Sequence, residues 1–176
     1  TNVEALPQGL IFWRSFTHWI GGMGILVLTM AILPTIGAGN MQIMKAESPG
    51  PNPGKLVPRL KKSAIILYGI YMVITVSEVI LLKLSGLSLF DSLIYSFGSV
   101  GTGGFANKSL SIAHYNNIAA EIIITIFCFA CGINFSLYYT AIKGNIKEFF
   151  KDEEFKVYVS IILVAIILIT LNIYGN

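Results

Sequence analysis

The sequence predicts an all-α membrane protein, in which transmembrane helices flank a re-entrant half-length helix and a loop. Three observations predict it. Of the 176 residues 55% are hydrophobic and only 12% charged, with a mean hydropathy of +0.74, whereas a soluble domain carries about 25% charged residues. Four apolar runs reach the roughly 20 residues that a helix needs to cross a bilayer. A fifth run, LSLFDSLIYSFGSV, is too short to cross and leads into glycines.

The first span is expected at Leu10–Leu33, within segment 1–36. Residues 37–62 follow as a connector, because Pro49, Pro51, Pro53 and Pro58 stand among glycines there. The second span is expected at Ser63–Leu84, the third at Ile118–Ala141 and the fourth at Phe155–Tyr174, opening segment 155–176. A charged connector, 143–154, joins the last two. The fifth run, 89–99, has 11 residues, about 16 Å as a helix, or half a membrane. Ser88 followed three residues later by Asp91 is a start signal for it. Nine of the twelve basic residues lie in or beside the two connectors, leaving Arg14, Lys83 and Lys108 elsewhere. The positive-inside rule therefore makes both connectors cytoplasmic and turns 85–117 outward. The chain begins at Thr1 with no basic region before an apolar stretch, so no signal peptide is expected here and an internal piece of a longer protein is expected. The net charge of +3 is too small to point to nucleic acid.

Four of the seven residues Gly98–Gly104 are glycine, and three readings compete for them. Gly101, Gly103 and Ala106 fit a loose dinucleotide fingerprint, with Glu121 downstream. That motif needs a strand before it and a helix opening from it, and here the polar NKSLSIAHYNN follows. A plain external turn uses glycine but leaves the half-length helix unexplained. The third reading is an ion-selectivity segment. Unwound backbone at membrane depth is tolerated only inside protein or along a water-filled path. Inward-facing carbonyls can replace the hydration shell of potassium, glycine permits the backbone angles required, and a helix C-terminus favours a nearby cation.

Outside this loop several further residues stand out. Cys128 and Cys131 form a Cys-x-x-Cys inside an apolar run, where packing is a better reading than redox or zinc chemistry. Arg14 and His18 lie one turn apart near the outer end of span one, with interfacial and hydrogen-bonding roles favoured over a place on an ion path. Glu78, a carboxylate within span two, is expected either to face a partner or water or to sit at the membrane border. Glu121 opens span three, where negative charge suits a helix N-terminus. Gly21, Gly22 and Gly24 suggest close helix approach. Gly132 and Asn134 stand in the middle of span three, where a hydrogen bond from Asn134 to a neighbouring helix is favoured over a kink or a polar lining.

Taken together, FWRSFTHWIGGMGILVLTMAILP, KAESPGP, LFDSLIYSFGSVGTGGF and KDEEFKVYV resemble the Trk/Ktr superfamily of potassium transporters, closest to its TrkH type. The resemblance implies four repeats of span, pore helix, filter loop and span around one pore. Segment 1–36 would then close repeat one. Segment 63–142 would be the complete second repeat, with pore helix 89–99 and filter loop 100–107, and 155–176 would open repeat three. It implies backbone carbonyls of Gly101, Thr102, Gly103 and Gly104 as ion ligands, with potassium held at Thr102–Gly104 and Gly104 as the key glycine. Phe105 and Asp91 would support the loop, and Glu78 and Glu121 are the candidate pathway acids. Potassium is then the transported ligand, and no covalently bound cofactor and no enzymatic chemistry are expected. The implied partners are the remaining repeats, a second copy in a homodimer, a cytoplasmic nucleotide-binding regulatory subunit and membrane lipids, in a bacterial or archaeal inner membrane. Two alternatives stay open. One is a transporter of another cation or solute with broken helices, and the other is a structural membrane subunit with a glycine-rich external loop.

Overall fold

The structure is a computed structural model and describes residues 3–22, 24, 53–142, 144 and 146–174, with the side chains of 53–64 and 136 excepted. The inner part of the first predicted span and the connector residues 37–52 lie outside the described residues. Among the described residues regular structure is helical throughout. The chain divides into two units, Thr1–Cys131 and Gly132–Asn176.

In the first unit, helix α1 (Gln8–Gly22) buries Ile11, Ser15 and Trp19, one stripe at a spacing of four. Helix α2 runs over Pro53–Leu84, so the residues 53–62 expected in a loop are helical. Proline is accepted at a first helical position, where its missing N–H has no partner to lose, and Pro53 holds that position. The apolar stretch Ile65–Leu84 of α2 is long enough to cross a membrane. It ends in a Schellman turn: the Leu87 amide donates to the Leu82 carbonyl (3.2 Å) and the Gly86 amide to the Lys83 carbonyl (3.2 Å). Gly86 sits at φ +106°, a conformation that favours glycine.

That turn aims the chain into α3 (Leu89–Val100), 12 residues long. Ser88 caps it as the sequence predicts, since its Oγ accepts from the Asp91 amide at 3.1 Å and donates to Asp91 Oδ2 at 2.6 Å. From Ile94 to Val100 every residue of α3 is buried, although Ser96 and Ser99 are polar, because α1, α2 and α4 (Ile118–Cys131) all pack on it. On one side Phe12, Phe16 and Trp19 of α1 meet Phe97 with ring centroids 5.4–5.9 Å apart. Trp19 is fixed in turn by α2: its indole N–H donates to Thr75 Oγ1 (3.0 Å), and the Tyr71 hydroxyl donates to the Trp19 carbonyl (2.7 Å). Asn117 caps α4 through its Oδ1, which accepts from the Ala120 amide (3.2 Å), while its Nδ2 donates to the Ser85 carbonyl (2.7 Å). The capping role therefore falls to Asn117, and Glu121 is an exposed first-turn residue.

The third predicted span is not one helix. α4 stops at Cys131, and helix resumes as α5 (Phe135–Ile142). In the second unit a Cβ on Gly132 would collide with the Tyr158 hydroxyl, and Asn134 Nδ2 donates to Glu154 Oε2 at 3.0 Å. Gly132 is a weak helix former, and the Asn134 amide is engaged away from its own helix. The bonded asparagine and the interruption thus occur together. α6 (Ile146–Lys151) lies in the charged connector, and Asp152 starts α7 (Glu153–Tyr174) by accepting from the Phe155 amide at Oδ1 (3.0 Å). α7 is 22 residues long, apolar enough to span, and has no buried residue.

Candidate functional site

The site is built where α3 ends. The Gly103 amide donates to the Gly98 carbonyl (2.8 Å) and the Thr102 amide to the Ser99 carbonyl (2.9 Å), the paired bonds of a Schellman turn. The residue at its left-handed position is Thr102, at φ +58°, where glycine is usual and a β-branched side chain costs roughly 1–2 kcal/mol. The Gly104 amide adds a third bond to the same region, reaching the Gly98 carbonyl at 3.0 Å. Replacing Thr102 by glycine should raise the stability of the full-length protein by about 1 kcal/mol, read as a higher melting temperature. A lowered melting temperature would refute the strain.

Backbone handedness then alternates. Gly101 has φ −73°, Thr102 +58° and Gly104 +66°, while Gly103 between them is not among the positive-φ residues. Conformations of alternating hand turn successive peptide units toward one side. The carbonyls of Thr102, Gly103 and Gly104 accept no hydrogen bond among the described residues. They follow the C-terminus of α3, where the helix dipole favours a cation.

The Gly101 carbonyl before this run and the Ala106 carbonyl beyond it are taken, while the Phe105 carbonyl, next after Gly104, is also unbonded among the described residues. His18 Nε2 is 2.9 Å from the Gly101 carbonyl, and Arg14 Nη2 donates to the Ala106 carbonyl at 2.9 Å. A carbonyl only accepts, so Nε2 carries the hydrogen. Of the four carbonyls that the resemblance implies as ion ligands, that of Gly101 alone is bonded to a side chain of α1. The residue after the loop's anchored carbonyl is fixed too: Asn107 Nδ2 donates to Asp91 Oδ1 at 2.5 Å. Asp91 thereby ties the far end of the loop to the first turn of α3. Tyr115 lies beside this pair, and burial, with the Asp91 carboxylate next, pushes its phenol above the usual range.

Phe105 stands against α1: its ring meets His18 edge-on (centroids 5.0 Å), and the Arg14 guanidinium lies 5.0 Å from its centroid. Glycine is needed here for closeness as well as for φ. A Cβ on Gly98 would sit 2.7 Å from the Phe105 carbonyl oxygen, one on Gly22 would sit 2.8 Å from Gly101 Cα, and one on Gly103 would land on the His18 ring. Gly104 has open space around it, so its requirement is conformational. A cavity of ≈ 110 Å³ lies behind the loop, between Gly98, Gly104 and Phe105 on one side and Ile124 and Cys128 of α4 on the other.

Glu78 lies within α2 and faces the last turn of α3. It is fully buried, and Ser99 Oγ donates to its Oε1 at 2.5 Å, with the Tyr95 carbonyl also within reach of that hydroxyl at 2.9 Å. Its Oε2 is enclosed with no partner among the described residues. Glu121 is exposed on α4, apart from these contacts. Sequence reasoning found the loop, Asp91 and Glu78. It gave Arg14 and His18 general roles and missed that both bond the loop. The one available signal was their spacing of four, which puts both on one face of α1.

Comparison with known proteins agrees with this architecture. Residues 1–174 match the TrkH family model, described as a cation transport protein. The chain is 34% identical to the Trk system potassium uptake protein TrkH of Salmonella typhimurium, over 99% of its own length and 38% of that protein's. It is 33% identical to an uncharacterized cation transporter of Methanocaldococcus jannaschii, over 98% of its length and 34% of that protein's. It superposes on the crystal structure of the potassium transporter TrkH from Vibrio parahaemolyticus with a TM-score of 0.70 at 30% identity, over 92% of this chain and 32% of that one. The chain thus spans little more than a third of the curated relatives it matches. Its helical order, its half-length buried helix and a family match running from residue 1 to residue 174 have one meaning: the chain belongs to the TrkH family of cation transport proteins.

Proposed function

We propose that this chain is part of a potassium uptake transporter and carries one of four loops that together surround a single ion path. The observation that carries the reading is that the carbonyls of Thr102, Gly103 and Gly104 accept no hydrogen bond among the described residues, on backbone of alternating hand at the end of a buried half-length helix. Potassium shed of water at the outer mouth is held by such oxygens and passes inward. Discrimination against sodium comes from their number and spacing, and no bond is made or broken. The potassium uptake proteins among the relatives support the choice of ion. In this reading 63–142 is a complete repeat, with span one before it and α7 opening the next, and further loops come from the rest of the transporter. The two basic connectors face the cytoplasm of a bacterial or archaeal cell. There they meet anionic lipid head groups or a nucleotide-binding regulatory subunit, and the transporter pairs with a second copy.

The test is Gly104→Ser in the full-length transporter, with potassium and sodium uptake measured in potassium-starved cells. Serine at φ +66° is disfavoured by roughly 1–2 kcal/mol, with no steric obstacle to complicate the result. Potassium uptake should fall about tenfold or more and its preference over sodium should narrow. Unchanged rate and selectivity would refute the assignment.

A further inference from the structure

We propose that Arg14 and His18 are positioning residues for ion selectivity: a two-point clamp from α1 that holds the loop open at the spacing potassium requires. This rests on the reading of the loop as part of the ion path. The two side chains bond the Gly101 and Ala106 carbonyls, which bracket the four unbonded ones of residues 102–105. Both bonds are to backbone, so they fix the path of the main chain itself. They come from a helix more than 80 residues earlier in the chain. Both groups also rest on the ring of Phe105, and the His18 ring fills the space that a side chain at 103 would take.

A glycine-rich loop has little stiffness of its own. Free at either end, it can close in on a smaller ion and ligate sodium as well as potassium. Tied at both ends to a helix that Trp19 and Gly22 seat against the rest of the unit, it resists that collapse. The clamp therefore acts on discrimination more than on the capacity to bind a cation. Glutamine at 18 keeps an N–H donor of similar reach, whereas leucine fills the space without one. Lysine at 14 keeps the charge but loses the planar fork that bonds the carbonyl while lying over Phe105.

The experiment uses the full-length transporter in potassium-starved cells, with the KM for potassium and the uptake of sodium measured side by side. His18→Leu and Arg14→Ala should each shift the potassium-over-sodium preference by about tenfold toward sodium, the loss expected from one charge-assisted or buried hydrogen bond. His18→Gln should restore the preference to within about twofold. Should Arg14→Ala fail to accumulate in the membrane, Arg14→Lys and the leucine–glutamine pair at 18 carry the comparison. His18→Leu present at wild-type level with unchanged preference would overturn the clamp, as would an equal loss in the leucine and glutamine variants. If Gly104→Ser alters selectivity while the clamp variants do not, only the clamp fails. If Gly104→Ser changes nothing, the loop's role in the ion path fails first.

Discussion

Gly98→Ala in the full-length transporter should cut selective potassium uptake about a hundredfold, the order of loss that a displacement near 1 Å brings to a preorganised site. Gly98 lies inside α3, where alanine is the better helix former by about 1 kcal/mol. Propensity alone therefore predicts a stabilised helix and normal transport. The packing predicts the reverse. A Cβ at 98 would meet the Phe105 carbonyl oxygen at 2.7 Å and the Phe105 amide nitrogen at 3.3 Å. Both atoms are backbone, so no rotamer change relieves the contact. The loop must move off the helix, and the bonds that the Gly103 and Gly104 amides make to the Gly98 carbonyl move with it. Uptake assays on membranes with matched protein levels check this. Wild-type selectivity in the alanine variant would show that the loop does not sit against Gly98.

Glu78→Lys should prevent stable folding, while Glu78→Gln should be tolerated. The carboxylate is fully enclosed, and its one bond among the described residues is to Ser99 on the last turn of α3. Glutamine keeps an oxygen for that hydroxyl and fills the same volume, so its cost should stay near 1 kcal/mol. Lysine puts a cation where no carboxylate remains to pair with it, and an uncompensated buried charge costs about 3–5 kcal/mol. Size-exclusion profiles and melting of the detergent-solubilised transporter read the difference. A lysine variant that melts like wild type would mean that water reaches position 78. Glu78 was legible as an unusual residue because acids are rare within apolar spans. Its partner was not, since nothing along the chain connects residue 78 with Ser99.

The same division runs through the molecule. Helix starts with short-range chemistry were readable: Ser88 and Asp91 announce α3, and the apolar length of 155–174 announces α7. The continuation of α2 back to Pro53 was hidden by its prolines and glycine, which mark loops on composition, although Pro53 opens the helix and Pro58 lies within it. The interruption at Gly132–Asn134 was weighed and set second, because an apolar run of 24 residues at 118–141 satisfies the length rule whether or not it is continuous. At the loop, glycine content pointed to unusual backbone, but two facts were beyond sequence. Thr102 takes a left-handed position that glycine normally holds, and the Gly101 carbonyl faces a histidine 83 positions away. Both follow from how α1 is seated on α3, a tertiary contact with no local signature.

The polar, enclosed character of α3 bears on how such a chain is made. A 12-residue helix with Ser92, Ser96 and Ser99 buried on it is too short to be held by lipid and presents hydroxyls that hydrocarbon would reject. Its walls are α1 and α2, synthesised before it, and α4, synthesised after it. In the topology proposed above, the segment waits at the outer surface until α4 is in place, and only then sinks into the groove that the three longer helices leave. Formation of the loop is a late step, and a defect in α4 should leave a membrane-inserted chain whose 89–107 segment remains open to protease from outside.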